Sequence, residues 1–202
     1  MPRLLFATSN VHKADEVRAM LGPDWEVLDL SAFPELPVPE ETGETFAANA
    51  AIKALAASGE LSGLYVLADD SGLEVDALGG QPGVRSARYS GEGATDASNR
   101  LLLVQNLAGL TAGGPFSGRF RCAMALALDG KVVAESDGSV QGQLLTAERG
   151  GGGFGYDALF IPDGFDQTFG ELPAATKNEL SHRARALKDM QRWMATNIIS
   201  DR

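Results

Sequence analysis

Apolar positions along the chain switch repeatedly between the two-residue period of a strand and the longer period of a helix. Arg3 to Ala7 is a short apolar run of buried-strand type, ended by the polar loop Thr8-Ser9-Asn10. From about Lys13 to Leu21 the residues Val17, Met20 and Leu21 recur on one helical face. Pro34, Pro37 and Pro39 then interrupt regular structure. A second helix is predicted from about Thr45 to Ala57, rich in alanine, with Phe46, Ile52 and Leu55 as its candidates for burial. Leu64 to Ala68 reads as a buried strand that runs into Asp69-Asp70-Ser71-Gly72, so that the two carboxylates stand at a strand end.

Gly79 to Gly83 is a loop, and Thr95 is an N-cap for a helix reaching about Leu107. Phe120 to Leu128 is a strongly apolar strand, Asp129-Gly130 a tight hairpin signal, and Lys131 to Ser136 the returning strand. A further strand is expected after Gly138. The glycine run Gly150 to Gly153 leads into Phe154-Gly155-Tyr156-Asp157 and the apolar Ala158 to Ile161. Ser181 is expected to cap a last helix whose apolar positions are Ala184, Leu187, Met190 and Met194, with Trp193 beside them. The pattern predicts an α/β fold: a mixed, twisted central sheet with helices on both faces, and two lobes flanking a substrate cleft within a single domain over 1–202.

With 44% hydrophobic and 22% charged residues, the chain of 202 residues can bury a sizeable core, which excludes a disordered protein. A net charge of -10 argues against duplex nucleic acid or an anionic membrane as partner, because both are held by surface Lys and Arg. A small anion, held by a few local cations, a metal ion or backbone N–H groups, remains compatible. The lone cysteine, Cys122, excludes an intrachain disulfide framework and suits a reducing compartment, with the cytoplasm as expectation. The apolar run at Met1 to Ala7 is too short for a secretion signal, and no stretch approaches membrane-spanning length.

Four constellations could carry chemistry. Thr8, Ser9, Asn10 and Lys13 lie between a strand and a helix N-terminus, where free amides and a mobile cation suit phosphate, although a plain polar turn has the same composition. Glu40-Glu41 and Asp69-Asp70 are carboxylates of the kind magnesium takes along with water and substrate phosphates; solvated acidity explains Glu40-Glu41 equally well. Adjacent carboxylates after a buried strand need compensation by a cation or by hydrogen bonds. Phe154 to Asp157 offers a ring to stack on a base and a carboxylate or backbone group to read its edge, or else a core strand reached through a glycine turn. Lys177, His182 and Arg183 gather cations near the start of the last helix, as an anion or carbonyl-oxygen site or as a solvated helix end. His12 has no assigned role.

In order along the chain, TSNVHK from Thr8, EETGETF from Glu40, ADDSGLEVDALGGQPGVRSARYSG from Ala68, GGFGYDALF from Gly152 and KNELSHRARAL from Lys177 resemble the Ham1-like inosine triphosphate pyrophosphatase family. The resemblance spans nearly the whole chain, and the combination is far more specific than any piece. It implies an elongated two-lobed α/β homodimer that hydrolyses non-canonical purine nucleoside triphosphates, those of inosine, deoxyinosine and xanthosine, to monophosphate and pyrophosphate, with a preference for purines carrying a keto group at position six. Magnesium is the implied cofactor, and clearance of these nucleotides before they reach DNA or RNA the implied purpose. By position, Thr8, Ser9, Asn10 and Lys13 would contact phosphates, Glu40 and Asp70 would hold the metal, and Asp70 would accept the proton of the attacking water. Asp69 and Lys13 would assist catalysis, and Ser71 would touch substrate. Phe154, Gly155, Tyr156 and Asp157 would enclose the base, with Lys177, His182 and Arg183 completing the substrate site. Ala158 departs from the proline common in the family, without removing a functional group. A pyrimidine-directed relative, a nucleotide sensor without turnover and a structural interaction module are the alternatives; the intact acidic set argues against the sensor.

Overall fold

Parallel pairing sets the first half of the sheet, as expected where strands are joined through helices. Strand β1 (Arg3–Phe6) lies between β2 (Glu26–Asp29) and β3 (Tyr65–Val75), parallel to both. Helix α1 (Val11–Leu21) links the first two strands, and α2 (Phe46–Glu60) precedes the third. After α3 (Asp96–Ala108) come β4 (Phe116–Leu128), β5 (Lys131–Leu144) and the short β6 (Phe160–Pro162), which is antiparallel to β5. The order is β2-β1-β3-β4-β5-β6, so the sheet is mixed. Helices α4 (Ala174–Leu180) and α5 (His182–Met194) follow, and a π-helical turn at Ala195–Ile199 comes last among the described residues. This computed structural model describes residues 1–110 and 114–199. Among them no helix is long and apolar enough to cross a membrane.

The chain divides into two compact units. One comprises Met1–Asp70, Cys122–Gly138 and the chain from Arg183 onward; the other comprises Ser71–Arg121 and Ser139–His182. Strands β3, β4 and β5 each contribute residues to both.

In the first unit, side chains alternate across the pleat and give each sheet face its own helices. Leu4, Phe6, Leu67, Cys122, Met124 and Leu126 pack with Ala14, Val17 and Leu21 of α1 and with Ala186, Leu187, Met190 and Met194 of α5. The intervening Leu5, Ala7, Val66, Ala68, Ala125 and Ala127 meet Ala50, Ala54 and Ala57 of α2. The second unit buries Leu103 and Leu107 of α3 against Leu73, Val75, Phe116, Phe120 and Phe160, among others.

Several sequence expectations are corrected in detail. Helix α1 begins at Val11 because Asn10 caps it, its side chain accepting from Lys13 N–H. Leu55 is exposed, and alanines form the packing face of α2, since small side chains let the helix approach the sheet closely. Strand β3 does not stop before the acidic pair but runs through it to Val75. The return strand and the strand expected after Gly138 are one continuous β5. Ser181 stands immediately before α5, where the cap is expected, and its backbone N–H, bonded to Lys177 O at 2.9 Å, also ends α4, a helix that the apolar pattern did not reveal. The Asp129-Gly130 hairpin forms with φ 49° and 72°, and the Asp129 side chain accepts from Gly63 N–H at 2.8 Å.

Gly142 on β5 is a point of close approach: a Cβ there would collide with Ile161 O and stand 2.6 Å from Phe160 Cζ. Gly142→Ala is expected to destabilise the fold by about 1–3 kcal/mol, visible as a fall in Tm of about 2–4 °C per kcal/mol in thermal unfolding.

Candidate functional site

Asp69 and Asp70 are both buried, in the middle of β3, and successive residues of a strand face opposite ways. Asp69 turns to the α1 and α5 face. Its Oδ1 accepts from Lys13 Nζ at 3.1 Å, and its Oδ2 from Arg183 Nη2 at 2.9 Å and Nε at 3.2 Å. Arg183, only 1% exposed, bonds Glu16 of α1 through Nη1. Burial works to push the Asp69 carboxyl up, but Lys13, Arg183 and Lys53 outweigh it and hold the group far below the usual carboxylate range. Burial likewise opposes the Arg183 charge, while Asp69 and Glu16 more than restore it. Cys122 Sγ lies 3.8 Å from Asp69 Oδ2; burial, and then the Asp69 charge, push its thiol up, so it stays protonated.

Asp70 faces α2 instead. Its Oδ2 accepts from Asn49 Nδ2 at 2.9 Å, and Asn49 Oδ1 accepts from Gly43 N–H at 2.7 Å, tying the acidic loop to the strand. One helical turn after Asn49, Lys53 donates to Glu41 Oε1 at 2.7 Å. Burial is the largest influence on Asp70 and raises its pKa, with Glu41 adding to it; Lys53 and the Asn49 hydrogen bond pull the other way and do not win. Lys53 is opposed by its own burial, yet Asp69, Asp70 and Glu41 keep it firmly protonated. The two carboxylates therefore differ: protein cations hold Asp69 as an ion, whereas burial leaves Asp70 with a raised proton affinity.

Of the Glu40-Glu41 pair, Glu41 reaches this network through Lys53, while Glu40 is exposed. Among the described residues no group of three His, Cys, Asp or Glu side chains is gathered to hold a metal. Magnesium needs no such cage, since one or two carboxylates with waters and substrate phosphates suffice. The donor chemistry fits: a divalent cation beside Asp70 would offset the burial that disfavours its charged form.

The Thr8–Lys13 segment is folded by its own side chains. Thr8 Oγ1 accepts from Asn10 N–H at 3.1 Å and Asn10 Oδ1 from Lys13 N–H at 3.2 Å, so Asn10 serves as a cap, while Ser9 is exposed. Thr8, Ser9 and Asn10 line a cavity of about 320 Å³ together with Leu30, Phe33 and Leu36.

In the second unit, Phe154 to Asp157 form a tight turn in which Asp157 N–H donates to Phe154 O at 3.1 Å, with Gly155 at φ 58° and Tyr156 at φ -99°, ψ 10°. A glycine with positive φ at the first central position is what a type II′ turn requires. Asp157 Oδ2 accepts from Phe154 N–H at 2.9 Å and from Lys177 Nζ at 2.5 Å, and that ammonium lies 4.6 Å from the Phe154 ring centroid. Tyr156 is buried, its hydroxyl donating to Ser86 O at 2.9 Å, so its ring belongs to the core and does not offer a stacking face. His182 stacks on Phe120 with ring centroids 4.9 Å apart. Within the glycine run, a Cβ on Gly150 would collide with Gly170 O, and one on Gly153 with the Asp157 carboxylate. Close approach, not looseness, accounts for those two. Ser71 follows Asp70 on β3 and is half-buried.

Sequence reasoning missed Asn49, Lys53 and Glu16. An Asn and a Lys four residues apart in an otherwise alanine-rich helix was the available signal, because that spacing puts both on one face.

A model of the Ham1 family matches residues 4–193. The chain belongs to the Ham1 family. Relatives of this Ham1 chain include a dITP/XTP pyrophosphatase of Bacillus licheniformis, 45% identical over 194 residues, covering 94% of this chain and 96% of the relative. A protein of the same name from Geobacter sulfurreducens is 46% identical over 200 residues, covering 96% and 98%. The solved HAM1 protein from Coxiella burnetii superposes with a TM-score of 0.85 at 34% identity, covering 97% of this chain and all (100%) of that one.

Two stability outcomes follow for this Ham1 chain. Arg183→Met leaves Glu16 and Asp69 without their shared cation and should cost about 3–5 kcal/mol, read from denaturant unfolding. Asp70 behaves in the opposite sense. Its folded pKa is raised, so its favourable contribution exists below the unfolded carboxylate pKa and is lost as pH rises through the folded value. In chelator at pH 7, Asp70→Asn should therefore melt above wild type, with the gap shrinking as pH falls towards the ordinary carboxylate range.

Proposed function

We propose that this chain is a nucleoside triphosphate pyrophosphatase that hydrolyses inosine, deoxyinosine and xanthosine triphosphates to the monophosphate and pyrophosphate, and so clears them from the nucleotide pool. The observation that carries this reading is the asymmetry of the Asp69-Asp70 pair, supported by the names of the relatives, dITP/XTP pyrophosphatase. One carboxylate is fixed as an ion by Lys13 and Arg183, and the other is left with a raised proton affinity.

In the proposed reaction a water oxygen attacks the α-phosphorus and the bond to the oxygen bridging to the β-phosphate breaks. Asp70 accepts the water proton, a task suited to a carboxyl whose burial has moved its pKa upward. Lys13 and Lys53 provide positive charge for the departing pyrophosphate, and the amides and hydroxyls of Thr8, Ser9 and Asn10 orient the phosphates. Asp70, with Glu40 or Glu41, would hold magnesium, whose chemistry when bound is neutralisation of phosphate charge. Asp69 is a positioning residue in this scheme: it aims Lys13 and anchors Arg183.

Base reading is assigned to the second unit, with Phe154 as the stacking ring. The N–H groups of Phe154 and Gly155 already donate to Asp157 and Asp96. The donor to a six-keto oxygen is therefore assigned to the side chain of His182 or of Lys177. Adenine presents an amino donor at that position, and donor facing donor rejects it. A homodimer in the cytoplasm belongs to the same proposal.

The test is pyrophosphate release from inosine, xanthosine, adenosine and guanosine triphosphates, with magnesium and with chelator. Release from the first two only, abolished by chelator, is the expected outcome; equal release from all four overturns the base assignment, and no release overturns the activity. Asp70→Asn should lower kcat by about 10²–10⁴-fold while nucleotide binding, followed by calorimetry, persists.

A further inference from the structure

Gly155 is the one residue of the Phe154–Asp157 turn that has no side chain to hold it, and it sits at φ 58° with open space where a Cβ would be. Its backbone is nevertheless fixed on both sides by α3. Gly155 N–H donates to Asp96 Oδ2 at 2.7 Å, and Gly155 O accepts from Arg100 Nη1 at 2.8 Å. Asp96 and Arg100 are four residues apart in α3 and so share one helical face, spaced to grip the two peptide groups that flank a single Cα. Arg100 is itself steadied by Glu148, whose Oε1 lies 3.0 Å from Arg100 Nε as an ion pair without an aligned hydrogen bond. Asp96 lies in the first turn of a helix that starts with a Thr95–Ser98 capping box, so that cap does not use the Asp96 side chain.

We propose that Asp96 and Arg100 form a clamp on Gly155 that positions Phe154 for the base, and that they thereby act as positioning residues in substrate discrimination. This rests on the assignment of Phe154 to the base in the proposed function. Rotation of the Phe154–Gly155 peptide is the soft motion of this turn, because glycine imposes the weakest steric limits on its neighbours. The Asp157 bonds hold the Phe154 N–H and carbonyl, the Asp96 bond holds the next N–H, and the Arg100 bond holds the next carbonyl. With the Asp96 bond lost, the Phe154–Gly155 peptide keeps only one of its two hydrogen bonds, from Asp157 N–H to Phe154 O, so Tyr156 stays in the core while the segment that carries the Phe154 ring is less tightly held. Binding geometry suffers while the fold and the phosphate chemistry of the first unit do not.

The experiment compares wild type, Asp96→Ala, Asp96→Asn, Arg100→Met and Phe154→Ala, with kcat and KM measured for inosine and adenosine triphosphates and amide exchange followed at Gly155. Asp96→Ala and Arg100→Met should each raise KM for inosine triphosphate on the order of tenfold and narrow the inosine-over-adenosine preference in kcat/KM similarly, with kcat changed less than about threefold. Asp96→Asn keeps an acceptor oxygen and should restore near wild-type KM. Gly155 amide exchange should be slow in wild type and Asp96→Asn, and fast in Asp96→Ala. Unchanged KM and preference in Asp96→Ala, or a loss confined to kcat or thermal stability, overturns the clamp. If Phe154→Ala loses the preference in that case, the base assignment survives alone; if Phe154→Ala keeps it, the base assignment fails as well.

Discussion

Two neighbouring carboxylates in the interior would ordinarily repel each other and forfeit their hydration together. The pleat of β3 resolves this by sending Asp69 to one face and Asp70 to the other, where each meets different helices. What the helices bring is unequal. Lys13 and Arg183 converge on Asp69, while Asn49 offers Asp70 a neutral amide, and Lys53, whose charge acts on Asp70, donates to Glu41. The positions of α1, α2 and α5 on the sheet thus appear again as chemistry: one carboxylate is locked as an ion, and its neighbour is left able to exchange a proton or to accept a cation. A lysine, an arginine or an asparagine moved by one residue would face the wrong side of its helix and dissolve that difference.

The periodicity of the chain revealed most elements because the core is built from strict alternation and from helical stripes. β1, α1, α3 and the Asp129-Gly130 hairpin follow from residues whose own preferences agree with their final surroundings. β3 was cut short because its acidic centre imitates a loop. Only the partners arriving from distant helices make Asp69-Asp70 tolerable inside a strand, and no local window contains them. In α2 the larger side chain Leu55 suggested the buried face, yet the sheet is approached by Ala50, Ala54 and Ala57. Distance of approach, a tertiary quantity, overrode hydrophobicity there.

For the candidate site, residue types and order were legible, and roles within the folded unit less so. Asn10 looks like a phosphate ligand and is also a helix cap; Arg183 looks like a surface cation and is buried between two carboxylates. Tyr156 looks like a base-stacking ring and is a core residue whose hydroxyl is bonded to Ser86. Each ambiguity has one origin: a polar side chain satisfied by a partner far along the chain carries the same letter as one kept for a ligand. Lys53 escaped notice for the complementary reason, since a single lysine in a helix ordinarily denotes a solvated face.

Cys122 gives the buried acidic network an unintended gauge. It is the only cysteine of the chain, is almost wholly buried, and its sulfur lies against the carboxylate most tightly held by the fold. Alkylating reagents attack the thiolate, and both burial and the Asp69 charge suppress that species. Modification then requires the strands and helices around Asp69 to part, so the rate of sulfhydryl labelling becomes a clock for the opening of that part of the molecule, with no probe introduced and no neighbouring thiol to confuse the reading.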